Sequence, residues 1–354
     1  MDTNINILTI NNYFSQNNQE NNEKYNCKKR SIIVSNSFFS INEANIAHKI
    51  SKIPYYSNYF SILHDYEVLN ISQLNEDIVE KLKNIENNQF YLFRYLDVNS
   101  IDFLDYLYNF TTVKKLILNI IDAFSHIFTG LYILNENNIC FFNISPKNIK
   151  FLEDYREKPT LSNFDCSLRL NKMDFKYISS ILNRLDDFTY QPLEIHILFY
   201  FIKNDMLTIS YSFIEEFCEI FIENLSILRL FSEKYKQKYK ENCIETMKKY
   251  INLSKDQIID DILEKNDKWD IYGISMLYIQ IFGCISQVFT LKDTFISKIT
   301  LELSKNLHPD SDKRMTFEET LLIFNKLLNE QEDWNFINKL DNNKLDVLFD
   351  ELSK

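Results

Sequence analysis

Residues 271–291 form an uncharged run of about 21 positions, bounded by Asp270 and Lys292. No other feature restricts the fold as strongly, because a helix of that composition must either cross a bilayer or be buried on every side. Ser275, Gln280, Ser286 and Gln287 interrupt its apolar character, so the run reads as a buried core helix. A second apolar stretch, 193–202, is shorter and carries His196, and it reads as no span. With 354 residues, 45% hydrophobic and 25% charged, the chain is long enough to bury one large core or two smaller ones.

Only 3 glycines are present, Gly130, Gly273 and Gly283, and none lies near another. Loops that bring backbone amides up to phosphate need clustered glycine, so no P-loop, dinucleotide fingerprint or other Gly-rich phosphate loop can be assembled. The net charge of −11 disfavours nucleic acid and anionic membrane as partners. Cys27, Cys140, Cys166, Cys218, Cys243 and Cys284 form no C-x-x-C pair, and no secretory signal is evident. They read as reduced thiols of an intracellular, cytoplasmic protein. The 5 histidines lack metal-ligand spacing, which argues against zinc.

The Asn-rich residues 1–30 read as a loosely attached leader. Ser31-Ile32-Ile33-Val34, then 59–68 and 89–96, read as strands. Residues 42–52 read as a helix with Asn42 as N-cap and Pro54 beyond its end. From Ile101 onward helical periodicity dominates: 102–108, then 112–135 with Leu116, Ile120, Phe124, Ile127 and Leu131 on one stripe. Between Glu194 and Asp270 lies a helical block, in which Phe213, Phe217, Ile220, Phe221 and Leu225 recur at helical spacing as an apolar stripe, followed by helices at 232–249 and 256–264. A helical tail is expected at 333–352.

Several short motifs occur in a telling order. Phe141-Phe142-Asn143-Ile144-Ser145-Pro146-Lys147-Asn148 is followed by Ser162-Asn163-Phe164-Asp165, then Pro192-Leu193-Glu194. Asp270-Ile271-Tyr272-Gly273-Ile274-Ser275 and the segment from His308-Pro309-Asp310 to Arg314-Met315-Thr316 come later. In this order they resemble the eukaryotic-type protein kinase family over residues 31–327, and the divergence is similar to that of kinase-like proteins of large DNA viruses or protists. The resemblance places Asn143 where the catalytic-loop Asp accepts the substrate proton, Ser145 at the substrate-side Lys, Asn148 at the metal-holding Asn, and Asn163 at the metal-holding Asp. Asp165 takes the following Gly place, from which a shifted loop could offer it and Asn148 to a metal. Phe93 stands near the gatekeeper and Glu43 at the helix-C Glu. Structural roles are implied for Phe141 and Phe164 in a hydrophobic spine, for Asp270 as acceptor from the backbone of residues 141 and 142, and for a Glu194–Arg314 ion pair. No Lys follows Ile32-Ile33-Val34, where Ser35 stands instead.

The expected fold class is therefore α+β: a kinase-like, two-lobed fold with a small β-containing N-lobe and a mainly helical C-lobe. Its expected divisions are the leader 1–30, an N-lobe 31–97, a C-lobe 98–330 with a helical insertion at about 205–262, and the tail 331–354. An amide neither takes up a proton nor neutralises a metal as a carboxylate does. The resemblance thus implies a pseudokinase that serves as scaffold or allosteric partner to another protein, with weak or absent binding of ATP and Mg2+. The alternatives are an active divergent Ser/Thr kinase with a protein substrate, and a plain helical structural protein.

Overall fold

The computed structural model describes residues 8–10, 28–70, 72, 89–97, 100–152, 158–185, 187–204 and 208–353. The fold is α+β. The chain divides into two compact units, Met1–Ile101 with Asn148–Ser167, and Asp102–Lys147 with Leu168–Lys354.

The first unit holds two four-stranded sheets. One has the order β1 (Leu8–Ile10), β2 (Lys28–Ser35), β5 (Gln89–Asp97) and β4 (Asp65–Asn70). Its β2–β5 register sets Ile32 opposite Phe93 and Val34 opposite Tyr91, and branched and aromatic cross-strand neighbours of this kind stabilise a sheet. The other runs β3 (Phe60–Ser61), β9 (Pro159–Ser162), β8 (Ile149–Leu152) and β6 (Ser100–Asp102). The single strand expected at 59–68 is therefore two. β3 pairs in parallel with β9, whereas β4 pairs antiparallel with β5. Leu8–Ile10 pairs with Ser31–Ile33, so part of the expected leader joins the sheet.

Helix α1 spans Phe38–Ile50. Its N-cap is Ser37, in a capping box with Ser40, not Asn42 as the sequence suggests. Two reciprocal side-chain bonds satisfy donors that would otherwise be orphaned at the helix start. Asn42 lies one turn inside, buried. The apolar face of α1 meets the sheet through Ala44 and Ala47, which pack with Val34, Leu63 and Phe93.

The second unit is built around α9 (Trp269–Val288). Counting the turn before it, this is, among the described residues, one of two helices long and apolar enough to cross a membrane, and 72% of its most apolar window is buried inside the protein; the other is α3 (Val113–Glu136). Phe124 of α3 sets its ring edge-on to Tyr278 of α9 at 4.7 Å and lies 4.8 Å from Phe324 of α11 (Phe317–Leu328). Gly273 has a packing reason: a Cβ there would lie 3.1 Å from both Ile144 Cδ1 and the Tyr190 carbonyl oxygen. Glycine thus allows the loop after Cys140 and the segment before Pro192 to lie directly on the helix.

The helical block comprises α6 (Tyr211–Asn224), α7 (Glu233–Lys248) and α8 (Lys255–Glu264). Of the expected stripe Phe221 and Leu225 are buried, Ile220 is 52% exposed, and Ile214 and Cys218 complete the buried face of α6. Phe213 and Phe217 instead rest against Tyr200, on α5 (Leu193–Lys203). The block is therefore packed on its own unit. The tail is a 3-10 stretch, Gln331–Lys339, then a short turn and α12 (Leu345–Leu352), rather than one continuous helix. Cys140, Cys166, Cys218, Cys243 and Cys284 are free and buried; Cys27 lies outside the described residues.

Candidate functional site

Within the second unit, the Asp270 carboxylate accepts two backbone hydrogen bonds, from Phe141 N at 2.7 Å and Phe142 N at 2.8 Å. Phe142 has φ 65, a left-handed conformation that costs a bulky L-residue roughly 1–2 kcal/mol and persists only where its surroundings enforce it. The enforcement is visible. Besides Asp270, Gln191 donates its Nε2 to the Phe142 carbonyl at 2.7 Å, and the Phe142 ring lies 5.7 Å from that of Trp269. Asn143 follows directly, half-buried, with its N–H donating to the Phe141 carbonyl at 2.7 Å. Ser145 accepts from Lys147 N. Burial pushes Asp270 up to about 6, against the lowering effect of the two N–H donors. Burial, and then the charge of Asp270, push the Cys140 thiol up.

Glu194, in the first turn of α5, takes a bidentate pair of bonds from Arg314, at 2.6 and 2.9 Å. The side chains are 0% and 9% exposed for Arg314 and Glu194. Arg314 also donates to the His308 and Pro309 carbonyls and lies over the Tyr272 ring at 5.0 Å. Burial opposes the guanidinium charge, but Glu194 holds it above its ordinary range. Tyr239 and Cys243 of α7 are buried within electrostatic reach of Arg314, so the helical block covers this pair. His196, two residues on, sits among the rings of Phe188 and Phe221, and burial lowers it to about 4.

In the first unit, Asn163 is exposed, with φ 64. Asparagine tolerates that region better than most residues. Its Nδ2 donates to Oδ1 of buried Asn148 at 3.2 Å, and the Asn148 carbonyl accepts from Ser162 Oγ. Asp165 is 8% exposed. Its backbone carbonyl and that of Ser167 accept the Nδ2 of Asn42 at 3.0 and 2.8 Å. Glu43, the next residue on α1, accepts from the Tyr95 hydroxyl at 2.7 Å. The Phe164 ring meets Phe60 edge-on at 6.1 Å. Phe93 is 1% exposed, with its ring against Tyr66, Tyr91 and Tyr95, committed to the core of this unit.

Of the residues that the resemblance offers to Mg2+, Asp165 alone carries a carboxylate, and it is buried. Hard cations seek several oxygens, carboxylates above all, yet the Asn148 oxygen is engaged by an amide donor and Asn163 has no carboxylate. Among the described residues no group of three His, Cys, Asp or Glu side chains could hold a metal. All three glycines lie in helices: Gly130 in α3, Gly273 and Gly283 in α9. Sequence reasoning missed Asn42, Gln191 and Tyr95, whose only local signal is adjacency to Glu43, to Pro192-Leu193-Glu194, and to Phe93.

No family model matches the chain, and neither does any curated protein. Among solved structures, it is similar to one described as titin kinase and its flanking domains, at 12% identity and a TM-score of 0.42. The match covers 86% of this chain and 43% of that one, so the chain spans under half the length of that structure.

Proposed function

We propose that this chain is a protein-kinase-like protein without phosphoryl-transfer activity, which works by binding another protein as a scaffold or allosteric partner. The observation that carries the reading is the Asn163–Asn148 amide hydrogen bond. The two positions that the resemblance assigns to metal ligands are neutral and bonded to each other. Support also comes from the residues to which the resemblance gives structural work, since Asp270 and the Glu194–Arg314 pair hold backbone in the expected way. Asn143 has no carboxylate to accept a proton, a loss that typically costs 10²–10⁴-fold by itself. With no carboxylate at Asn163 either, any nucleotide affinity is expected to be independent of Mg2+.

Two measurements on the purified chain test this. Thermal shift with ATP should be the same with and without Mg2+; saturating ligand at 100 times its Kd would add roughly 2.7 kcal/mol. Transfer of the γ-phosphoryl group to itself or to generic Ser/Thr substrates should stay at background. Robust transfer that disappears in Asn143→Ala would overturn the reading in favour of an active kinase.

A further inference from the structure

A groove of about 550 Å³ opens in the second unit between α8 and the segment Leu170–Phe175. Its apolar lining is Leu170, Met173 and Phe175 on one wall and Ile259 and Leu263 on the other. Every ionisable residue lining it is a carboxylate: Asp174, Asp256, Asp260 and Glu264. The last three recur at every fourth position of α8 and so share one face, about 6 Å apart along the axis. Three lysines on or beside α8 are turned to other acceptors. Lys265 pairs with Asp261 and Asp312, Lys249 with Asp261, and Lys255 donates to the Phe201 carbonyl. Among the described residues, no cation pairs with Asp256, Asp260 or Glu264.

We propose that this groove docks an extended segment of a partner protein in which basic residues alternate with apolar ones. Three features select that occupant. Charge complementarity requires a basic partner, because unneutralised carboxylates on a chain of net charge −11 repel an acidic one and draw in a cation. Spacing suits an extended backbone, whose same-face side chains recur every ~6.6 Å, close to the ~6 Å between successive carboxylates of α8. The apolar walls supply the burial that a purely ionic contact lacks. This surface belongs largely to the helical block and does not depend on the kinase-like reading.

The probe is a short fluorescein-labelled peptide alternating Arg and Leu, titrated with the full chain by fluorescence anisotropy. Wild type should bind, and binding should weaken as salt is raised. The triple variant Asp256→Asn, Asp260→Asn, Glu264→Gln should lose at least about tenfold in affinity. Neutralising three exposed carboxylates of α6, by Glu215→Gln, Glu216→Gln and Glu223→Gln, changes the net charge equally and should cost less than about twofold. Met173→Ala should weaken binding several-fold without lowering Tm. Absence of binding to wild type overturns the proposal. So do equal losses in the two triple variants, or displacement by spermine as effective as by unlabelled peptide, since each would mean undirected attraction to an acidic protein. No readout involves nucleotide or phosphoryl transfer, so failure here leaves the proposed function standing, and the reverse holds.

Discussion

The surroundings of Asp270 and those of Asn148 handle polar groups in opposite ways. Around α9, charge is kept and buried: one carboxylate holds two backbone N–H groups, and another holds a guanidinium at two points. Around β8 and β9, side-chain amides and hydroxyls donate to an amide oxygen and to backbone carbonyls. Both arrangements fix a backbone, and both satisfy buried groups that would otherwise be costly. The first bonds through its buried charges, whereas Asp165, the buried carboxylate of the second, takes part through its backbone carbonyl.

The sharpest test is Arg314→Met. It leaves Glu194 as an uncompensated buried charge and should cost about 3–5 kcal/mol in urea unfolding, with much of the loss recovered in Glu194→Leu/Arg314→Met. A loss below about 1 kcal/mol would remove the buried-charge half of the comparison.

Asp270→Asn leaves two buried donors with one weaker acceptor and should cost roughly 2–3 kcal/mol at neutral pH. It should also change the pH dependence. Asp270 is raised to about 6, so its contribution is greatest below the unfolded value near 4 and is lost as pH rises through 6. His196 is lowered to about 4, so its contribution is present above the unfolded value near 6.5 and is lost as pH falls through 4. The two slopes oppose each other across that window. Asp270→Asn should therefore make the protein lose stability more steeply on acidification, and His196→Phe should flatten the curve, as followed by Tm between pH 4 and 7.

Asn42→Ala removes two hydrogen bonds to buried carbonyls and should cost roughly 1–2 kcal/mol. A loss as large as that of Arg314→Met would mean that the amide web is the more strongly coupled region. Asn163→Asp should have the smallest effect, under about 1 kcal/mol, because the residue is exposed and Asp also tolerates a positive φ. Alone it should confer no phosphoryl transfer. Gain of Mg2+-dependent ATP stabilisation in that variant would show that charge was the only element missing.

Much of the α+β order could be read from the sequence because long, periodic segments dominate it. The α9 run, the stripe of α3 and the aromatic strand 89–96 each state their own element. The errors are tertiary in origin. Asn42 looks like an N-cap, yet its amide reaches carbonyls more than 120 positions away, a pairing that no local window contains. The stretch 59–68 has uniform strand composition but changes partners midway, from β9 to β5. On α6, Phe213 and Phe217 mark a half-buried flank against Tyr200, while Cys218, a weaker hydrophobic signal, lies on the buried face with Phe221. The candidate site divides along the same line. Residues held by motif context, such as Glu194 and Arg314, were legible. Gln191 was not, because a single amide donor leaves no pattern in sequence.

Only Asn36 and Ser37 separate β2 from α1, and neither is slack. Asn36 is tied to Gln89 through both its backbone N–H and its side chain, and Ser37 is locked into the capping box. Motions that swing a helix need a few loop residues able to absorb the change in φ and ψ, and this junction supplies none. Helix α1 is consequently welded to its sheet, and any signal that shifts it must carry β2 and β5 along as one body.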